Sequence, residues 1–223
     1  MSDDLEGALA ELRERMVADI RTHAARAVPA PHEIHERVLE VLGRVPRHAF
    51  VPEGLVPFAY VDSPLPIGHG KTISQPFIVA LMTALLDLQP DDRVLEIGTG
   101  LGYQAAVLAE LAGEVFTIEI IHELAEQAAV NLSAHGYAAV RTRIGDGGRG
   151  WPEEGPFDKL LVAAAPELIP PALIAQLRPG GRMVVPAGVE DAQQLYLVEK
   201  SPADETRTEA ILAVRFSALV LSH

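Results

Sequence analysis

Apolar residues near the N-terminus recur at helical spacing. Leu5, Leu9, Leu12, Met16 and Ile20 stand three and four apart, which predicts a helix with one apolar face. Pro29 and Pro31 break that pattern. A second face, made of Ile34, Val38, Val41, Leu42 and Val45, predicts another helix closed by Pro46. Six prolines (46, 52, 57, 64, 66, 76) and three glycines (54, 68, 70) then exclude a long helix or a central strand as far as residue 76. Phe50, Tyr60, Leu65 and Ile67 give this stretch apolar anchors. A connection of such length is uncommon in a compact domain unless it carries function.

Beyond residue 76 the period changes. Residues 77–88 read as a helix, with Pro76 suited to its first turn. Apolar runs of strand length follow at 94–97, 115–118, 140–144 and 160–164, alternating with helical stretches at 103–111, 122–134 and 168–177. Further strands are expected at 183–186, 195–199 and 211–216. The alternation predicts an α/β class: a Rossmann-like, doubly wound, mostly parallel seven-stranded sheet, helices on both faces, and an N-terminal helical extension. The last strands follow one another without long helices, which predicts an antiparallel element at that end.

Charge and composition narrow the classes. With 31 acidic and 18 basic side chains the net charge is -13, which disfavours binding to a phosphate backbone, so no nucleic-acid partner is expected. Absence of cysteine excludes disulfides, thiolate metal sites and a cysteine nucleophile, and suits a reducing compartment. No apolar run approaches the ~18 residues of a membrane span, so no membrane partner is expected. The acidic Met1-Ser2-Asp3-Asp4 start is unlike a signal peptide, and the expected location is cytoplasmic. His32-Glu33-Ile34-His35 lacks the i, i+4 histidine spacing of a zinc helix, and no metal is expected.

The strongest chemical signal is Val94-Leu95-Glu96-Ile97-Gly98-Thr99-Gly100-Leu101-Gly102-Tyr103, an apolar strand running through alternate glycines into a helix. Such a turn lies at the carboxyl end of a strand, where open α/β sheets bind ligands. A dinucleotide fingerprint would need glycine where Tyr103 stands, and Glu96 adds a negative charge near the place of a pyrophosphate. Both point to a ligand without a diphosphate and away from a dehydrogenase. Glu119, at the end of the next strand, can accept from ribose hydroxyls. Asp146, between Gly145 and Gly147 at a third strand end, can meet the adenine amine, although an Asp-Gly turn is also a common structural device. Three acids on successive strand ends suit an adenosine with a cationic tail. S-adenosyl-L-methionine (SAM) offers a ribose, an adenine and a sulfonium, and at this point the chain resembles a SAM-dependent methyltransferase of the Rossmann-like class.

Further segments carry a more specific likeness. Val45-Pro46-Arg47-His48-Ala49-Phe50-Val51-Pro52, Ala59-Tyr60-Val61-Asp62-Ser63-Pro64-Leu65-Pro66-Ile67-Gly68 and Gly70-Lys71-Thr72-Ile73-Ser74-Gln75-Pro76 closely resemble the protein-L-isoaspartate O-methyltransferase family. Gly102-Tyr103-Gln104-Ala105-Ala106, Pro156-Phe157-Asp158 and Ala163-Ala164-Ala165-Pro166 fit the same family. The resemblance implies methylation of the α-carboxylate of L-isoaspartyl residues in damaged proteins and peptides, with SAM as methyl donor and isoaspartyl proteins as partners of a monomeric enzyme. It implies Ser74 as the active-site residue. The cofactor-binding set becomes Thr72, Ile73, Glu96, Gly98, Thr99, Gly100, Gly102, Tyr103, Gln104, Glu119, Asp146 and Gly147. A single domain is expected, with N-terminal helices and substrate loop in 1–76, the SAM-binding core in 77–200 and a C-terminal strand in 201–223. Ser74 ahead of Pro76 can also read as a helix cap. The run Val214-Arg215-Phe216-Ser217-Ala218-Leu219 lacks the proline common in the family's last strand, and Ala25-Arg26-Ala27-Val28-Pro29 replaces an Arg-Gly segment. The altered 214–219 run keeps one alternative open, a methyltransferase acting on an ordinary aspartate; a second, a module that binds SAM without turnover, is opposed by Ser74 in its full motif beside the three acids.

Overall fold

The computed structural model describes residues 3–27 and 33–221, with the backbone alone for residues 3–5 and 27. Helix α1 (Asp3–Ala27) buries Leu9, Met16 and Ile20 and is followed by α2 (Glu36–Leu42), which buries Val38, Leu39, Val41 and Leu42. The proline-rich stretch forms two short 3-10 turns, Arg47–Phe50 and Glu53–Phe58, and a hairpin of β1 (Leu65–Gly68) and β2 (Lys71–Ile73). Helix α3 (Pro76–Leu86) is buried along its length except at Ile78. It packs against α1 and α2 on one side and the sheet on the other, as a helix apolar all round must.

The main sheet takes β3 (Arg93–Ile97), β4 (Glu114–Glu119), β5 (Arg141–Ile144), β6 (Phe157–Val162), β7 (Leu177–Ala187), β8 (Gln193–Lys200) and β9 (Thr206–Val214) in the order β5-β4-β3-β6-β7-β8-β9. Strands β5 to β7 of that order are parallel, while β8 and β9 are antiparallel to their neighbours, as the missing crossover helices implied. Helices α4 (Tyr103–Ala109), α5 (His122–Ala134) and α6 (Pro171–Gln176) make the crossovers. The order reverses between β3 and β6, so the carboxyl ends of these strands open the crevice where doubly wound sheets take ligands. Period-2 alternation sends Leu95, Ile97, Phe116 and Ile118 to one face, where they join one apolar cluster. Val94 and Val115 belong to the larger cluster on the other face, with α1 to α4.

Several expected elements shift their limits, and three of the shifts bear on the site. The helix expected at 168–177 shrinks to α6, because Pro170 and Pro171 lack amide donors and hold the chain extended until Pro171 can start a turn. Leu177 begins β7 instead of ending that helix. Strand β9 ends at Val214 and not at Phe216, since residues 216–219 leave the sheet edge. Ala218 there bridges Ala165 in parallel, with Ala165 N donating to Ser217 O and Leu219 N to Ala165 O, each at 2.8 Å. The side chain of Gln193 holds the departing segment from both sides. Its Oε1 accepts Phe216 N at 2.6 Å and its Nε2 donates to Phe216 O at 3.1 Å.

Candidate active site

The turn after β3 carries the site. Gly98, Gly100 and Gly102 have φ of 93, 57 and 101°, a region that side-chain-bearing residues avoid. A Cβ on Gly102 would also lie 3.0 Å from Leu132 Cγ, so that side chain would have to give way by a few tenths of an ångström. Gly98 N donates to Ile118 O at 2.8 Å, which joins the turn to the end of β4.

Glu96 occupies a different place from the one its sequence position suggests. It pairs across the register with Thr117, is fully buried, and accepts a hydrogen bond from the Thr117 hydroxyl. Thr117 shares a 2.6 Å hydrogen bond with Thr99. Glu96 Oε1 has no hydrogen-bond partner among the described residues. Burial pushes the Glu96 carboxyl up to about 8, the Thr117 hydrogen bond opposes the rise, and the neighbouring charge of Glu119 adds to it. At neutral pH Glu96 is therefore mostly uncharged, and the expectation that its charge repels a pyrophosphate is corrected. It lines none of the cavities around the turn.

Glu119 does reach the crevice. Its Oε2 accepts Gly100 N at 2.9 Å, and its Oε1 accepts Ile120 N and Ile121 N, each at 3.0 Å. A carboxylate offers about four acceptor positions, so three backbone donors leave one, on Oε2. Asp146 caps the 3-10 turn Gly147–Arg149 by accepting Gly148 N at 2.9 Å and lies 3.5 Å from Arg149 Nε. Gly147, not Asp146, lines the crevice, and a Cβ there would stand 2.2 Å from Ile97 Cγ2.

The Ser74 loop is held from beneath. Arg47, fully buried, donates from Nη2 to Ser74 O at 2.7 Å and from Nε to Ala59 O at 2.8 Å, with its guanidinium 4.9 Å above the Tyr103 ring. Ser74 does not cap α3. The cap position is Gln75, whose side chain makes no capping bond, and the carboxylate of Asp62 accepts Phe77 N at 2.8 Å in its place. Asp62 Oδ2 also accepts Gln75 Nε2 at 3.0 Å and lies 2.9 Å from His23 Nδ1.

Three adjoining cavities organise these groups. A cleft of about 70 Å³ is walled by Gly98, Gly100, Glu119, Gly147, Lys71 and Thr72, with Ile118, Ile120 and Leu124 as apolar sides. A cavity of about 50 Å³ lies beside it, lined by Thr72, Ile73, Ser74, Thr99, Tyr103 and Gln104. A larger one of about 330 Å³ is bounded by His23, Thr72, Ser74, Gln75, Phe77 and residues 212–217. Thr72 and Ala163 line all three. Of the residues expected at the site, Gly102, Glu96 and Asp146 line none of them, and each supports a wall from behind. Sequence reasoning missed Ile67, Lys71, Ile120, Ala163 and Ala164 on the cleft and His23, Phe77 and Ile78 on the large cavity. Ile120 had a usable signal, since it directly follows Glu119; His23 had none. Trp151 packs against Phe116 at 5.8 Å, as a loop anchor should, and exposed His69 forms the hairpin turn with φ of 50°. His32 lies outside the described residues.

Comparison with known proteins agrees with this geometry. The family described as protein-L-isoaspartate(D-aspartate) O-methyltransferase matches residues 30–223. The chain is 56% identical over 215 residues to protein-L-isoaspartate O-methyltransferase 1 of Polaromonas sp. strain JS666, covering 93% of this chain and 89% of that one. It is 52% identical over 221 residues to the protein of the same name from Cupriavidus necator, covering 98% and 85%. A solved protein-L-isoaspartate O-methyltransferase superposes with a TM-score of 0.79 at 27% identity, over 92% of this chain and 65% of that longer one. A Plasmodium falciparum structure, named as a putative protein-L-isoaspartate O-methyltransferase in complex with S-adenosyl-L-homocysteine, shares the fold with a TM-score of 0.78 at 21% identity, over 93% and 98% of the two chains. The chain belongs to the protein-L-isoaspartate(D-aspartate) O-methyltransferase family.

Proposed function

We propose that this protein transfers a methyl group from SAM to the α-carboxylate of L-isoaspartyl residues in damaged proteins and peptides. The observation that carries the reading is the junction at Thr72 and Ala163, where a cleft with a ribose acceptor meets a larger cavity bordered by Ser74. The cleft suits the cofactor. Glu119 keeps one acceptor position beside a glycine turn, Ile118, Ile120 and Leu124 make apolar walls, and Lys71 is its basic member. SAM supplies an already activated methyl on a sulfonium.

The residues of the chain then have modest tasks. A carboxylic acid with a reference pKa of about 4 is ionised at neutral pH, so no strong base is needed. Ser74 and Thr72 orient the substrate carboxylate at the mouth of the cleft. Arg47 fixes the Ser74 backbone, and the segment 216–219 closes the outer wall against water. Catalysis rests on alignment, which can lower a barrier by ~7–11 kcal/mol. The reading carries with it a cytoplasmic monomer, and light scattering of the purified protein tests the monomer.

The test is methyl transfer to an isoaspartyl peptide and to its aspartyl twin. The isoaspartyl carboxylate sits directly on Cα, one methylene closer to the main chain than that of aspartate. Turnover of the first with almost none of the second is the expected result. Comparable rates would move the assignment to a general aspartyl carboxyl methyltransferase and implicate residues 214–219. Binding of SAM without any turnover would make the protein a binding module.

A further inference from the structure

We infer that His23, near the end of α1, is a substrate-binding residue whose Nε2 accepts the N–H of a peptide group flanking the isoaspartyl residue. The inference rests on the function proposed above and names a contact on the substrate side of the same site.

Helix α1 precedes the residues matched by the family, 30–223, yet it delivers one side chain to the large cavity beside Ser74. His23 is fixed there by two independent contacts. Its ring stacks on Phe77 with centroids 3.9 Å apart and planes 8° from parallel. Its Nδ1 lies 2.9 Å from Asp62 Oδ2. Asp62 already accepts from Phe77 N and Gln75 Nε2, so it serves as an acceptor throughout, and Nδ1 must carry the proton. A hydrogen bond at one ring nitrogen sets the role of the other. In a neutral imidazole with its proton on Nδ1, Nε2 carries a lone pair, and the side chain is 38% exposed at the cavity.

Other acceptors border the cavity, among them the amide oxygen of Gln75 and the hydroxyls of Thr72, Ser74 and Ser217. Gln75 commits its amide nitrogen to Asp62, and Arg215 extends to within 3.6 Å of Asp191. Arg215 can only donate, while the hydroxyls of Thr72 and Ser74 can donate or accept and in the proposed reaction turn their O–H groups to the substrate carboxylate. A peptide threaded past them presents main-chain N–H groups as well, and a buried N–H without a partner weakens binding. Nε2, on a ring held by the Phe77 stack and the Asp62 contact, offers such a group a fixed acceptor. An acceptor here also leaves the carboxylate lone pairs free for the methyl group, whereas a further donor would draw on them.

The experiment uses the full chain, SAM, an isoaspartyl peptide and two derivatives N-methylated at the preceding or the following amide. His23→Asn keeps an amide N–H for Asp62 but removes Nε2, and His23→Phe keeps the stack on Phe77. Both variants are expected to raise KM for the unmethylated peptide about five- to tenfold, the worth of one hydrogen bond. SAM affinity should stay within about twofold. Wild type should discriminate against one of the N-methylated peptides, and His23→Asn should lose that preference. An unchanged KM, a preference that survives in His23→Asn, or a KM rise matched by equal losses of SAM affinity and melting temperature would each overturn the inference. Wild-type discrimination between isoaspartyl and aspartyl peptides is read separately, so a failure at His23 is distinct from a failure of the proposed reaction.

Discussion

The guanidinium of Arg47 donates to the carbonyl of Ser74 at 2.7 Å from a fully buried position. Burial pulls the Arg47 pKa down to about 10, with the neighbouring Tyr103 and Asp62 opposing the fall, so the side chain stays charged at neutral pH. The chain thus places a permanent cation under the backbone of its candidate active-site residue. Arg47→Ala would leave the carbonyls of Ser74 and Ala59 without their donor. At about 1–3 kcal/mol for each unsatisfied group, stability should fall by roughly 2–6 kcal/mol in urea denaturation. Arg47→Lys keeps the charge but loses the fork, so kcat should fall with a smaller loss of stability.

Ser74 and Asp62 separate the chemistry of the loop from its architecture. Ser74→Ala should slow methyl transfer at least tenfold, since about 1.4 kcal/mol is tenfold, while melting temperature and SAM affinity stay near wild type. Asp62→Ala removes the acceptor of Phe77 N and should cost about 1 kcal/mol, as lost helix caps do. Turnover, calorimetric SAM binding and thermal melting of both variants check this. Full activity in Ser74→Ala would remove Ser74 from the reaction.

Glu119 holds both the cofactor cleft and the glycine turn. Glu119→Ala should weaken SAM at least about tenfold, because a hydrogen bond to a charged group is worth about 1.5–3 kcal/mol. The melting temperature should fall as well, since Gly100, Ile120 and Ile121 lose their acceptor. Isothermal titration with SAM is the measurement, and an unchanged Kd would dismiss the ribose contact.

Glu96 makes stability depend on pH. Its carboxyl is raised from 4.5 to about 8 in the folded protein, so the folded state binds the proton more tightly than the unfolded chain. The group's contribution is fully present below the unfolded pKa and is lost as pH rises through the folded pKa. The slope in this window is at most about 1.4 kcal/mol per pH unit. Glu96→Gln has no proton to lose, so its melting temperature should gain on wild type steadily from pH 5 to pH 8. Parallel melting curves across that range would show that Glu96 is charged in the fold.

Much of the site was legible before any coordinates. The Thr72-Ile73-Ser74 segment, the glycine turn and Glu119 border adjoining cavities, because each sits at the end of an element whose limits local residues announce. Helix α5 spans the expected 122–134, and β3 and β4 extend the expected strands by one or two residues. The expected 168–177 helix failed because paired prolines outweigh an apolar period.

The amino-acid order by itself determined the alternation of strands and helices, the parallel sheet with its antiparallel edge, and the glycine turn at a strand end. These follow from side-chain period and backbone preference, which act over a few residues. Depth and long-range company were decided by the tertiary structure. Glu96 and Glu119 both look like strand-end acids, but Glu96 faces Thr117 inside the sheet and is mostly neutral, while Glu119 closes β4 at the crevice and collects three backbone donors. His23 meets Asp62 across 39 positions because α1 packs on α3, and Gln193 holds Phe216 across 23 because β8 lies beside β9. Such pairings depend on how separate apolar faces bury one another, and no local pattern along the chain encodes which polar side chains that burial brings together.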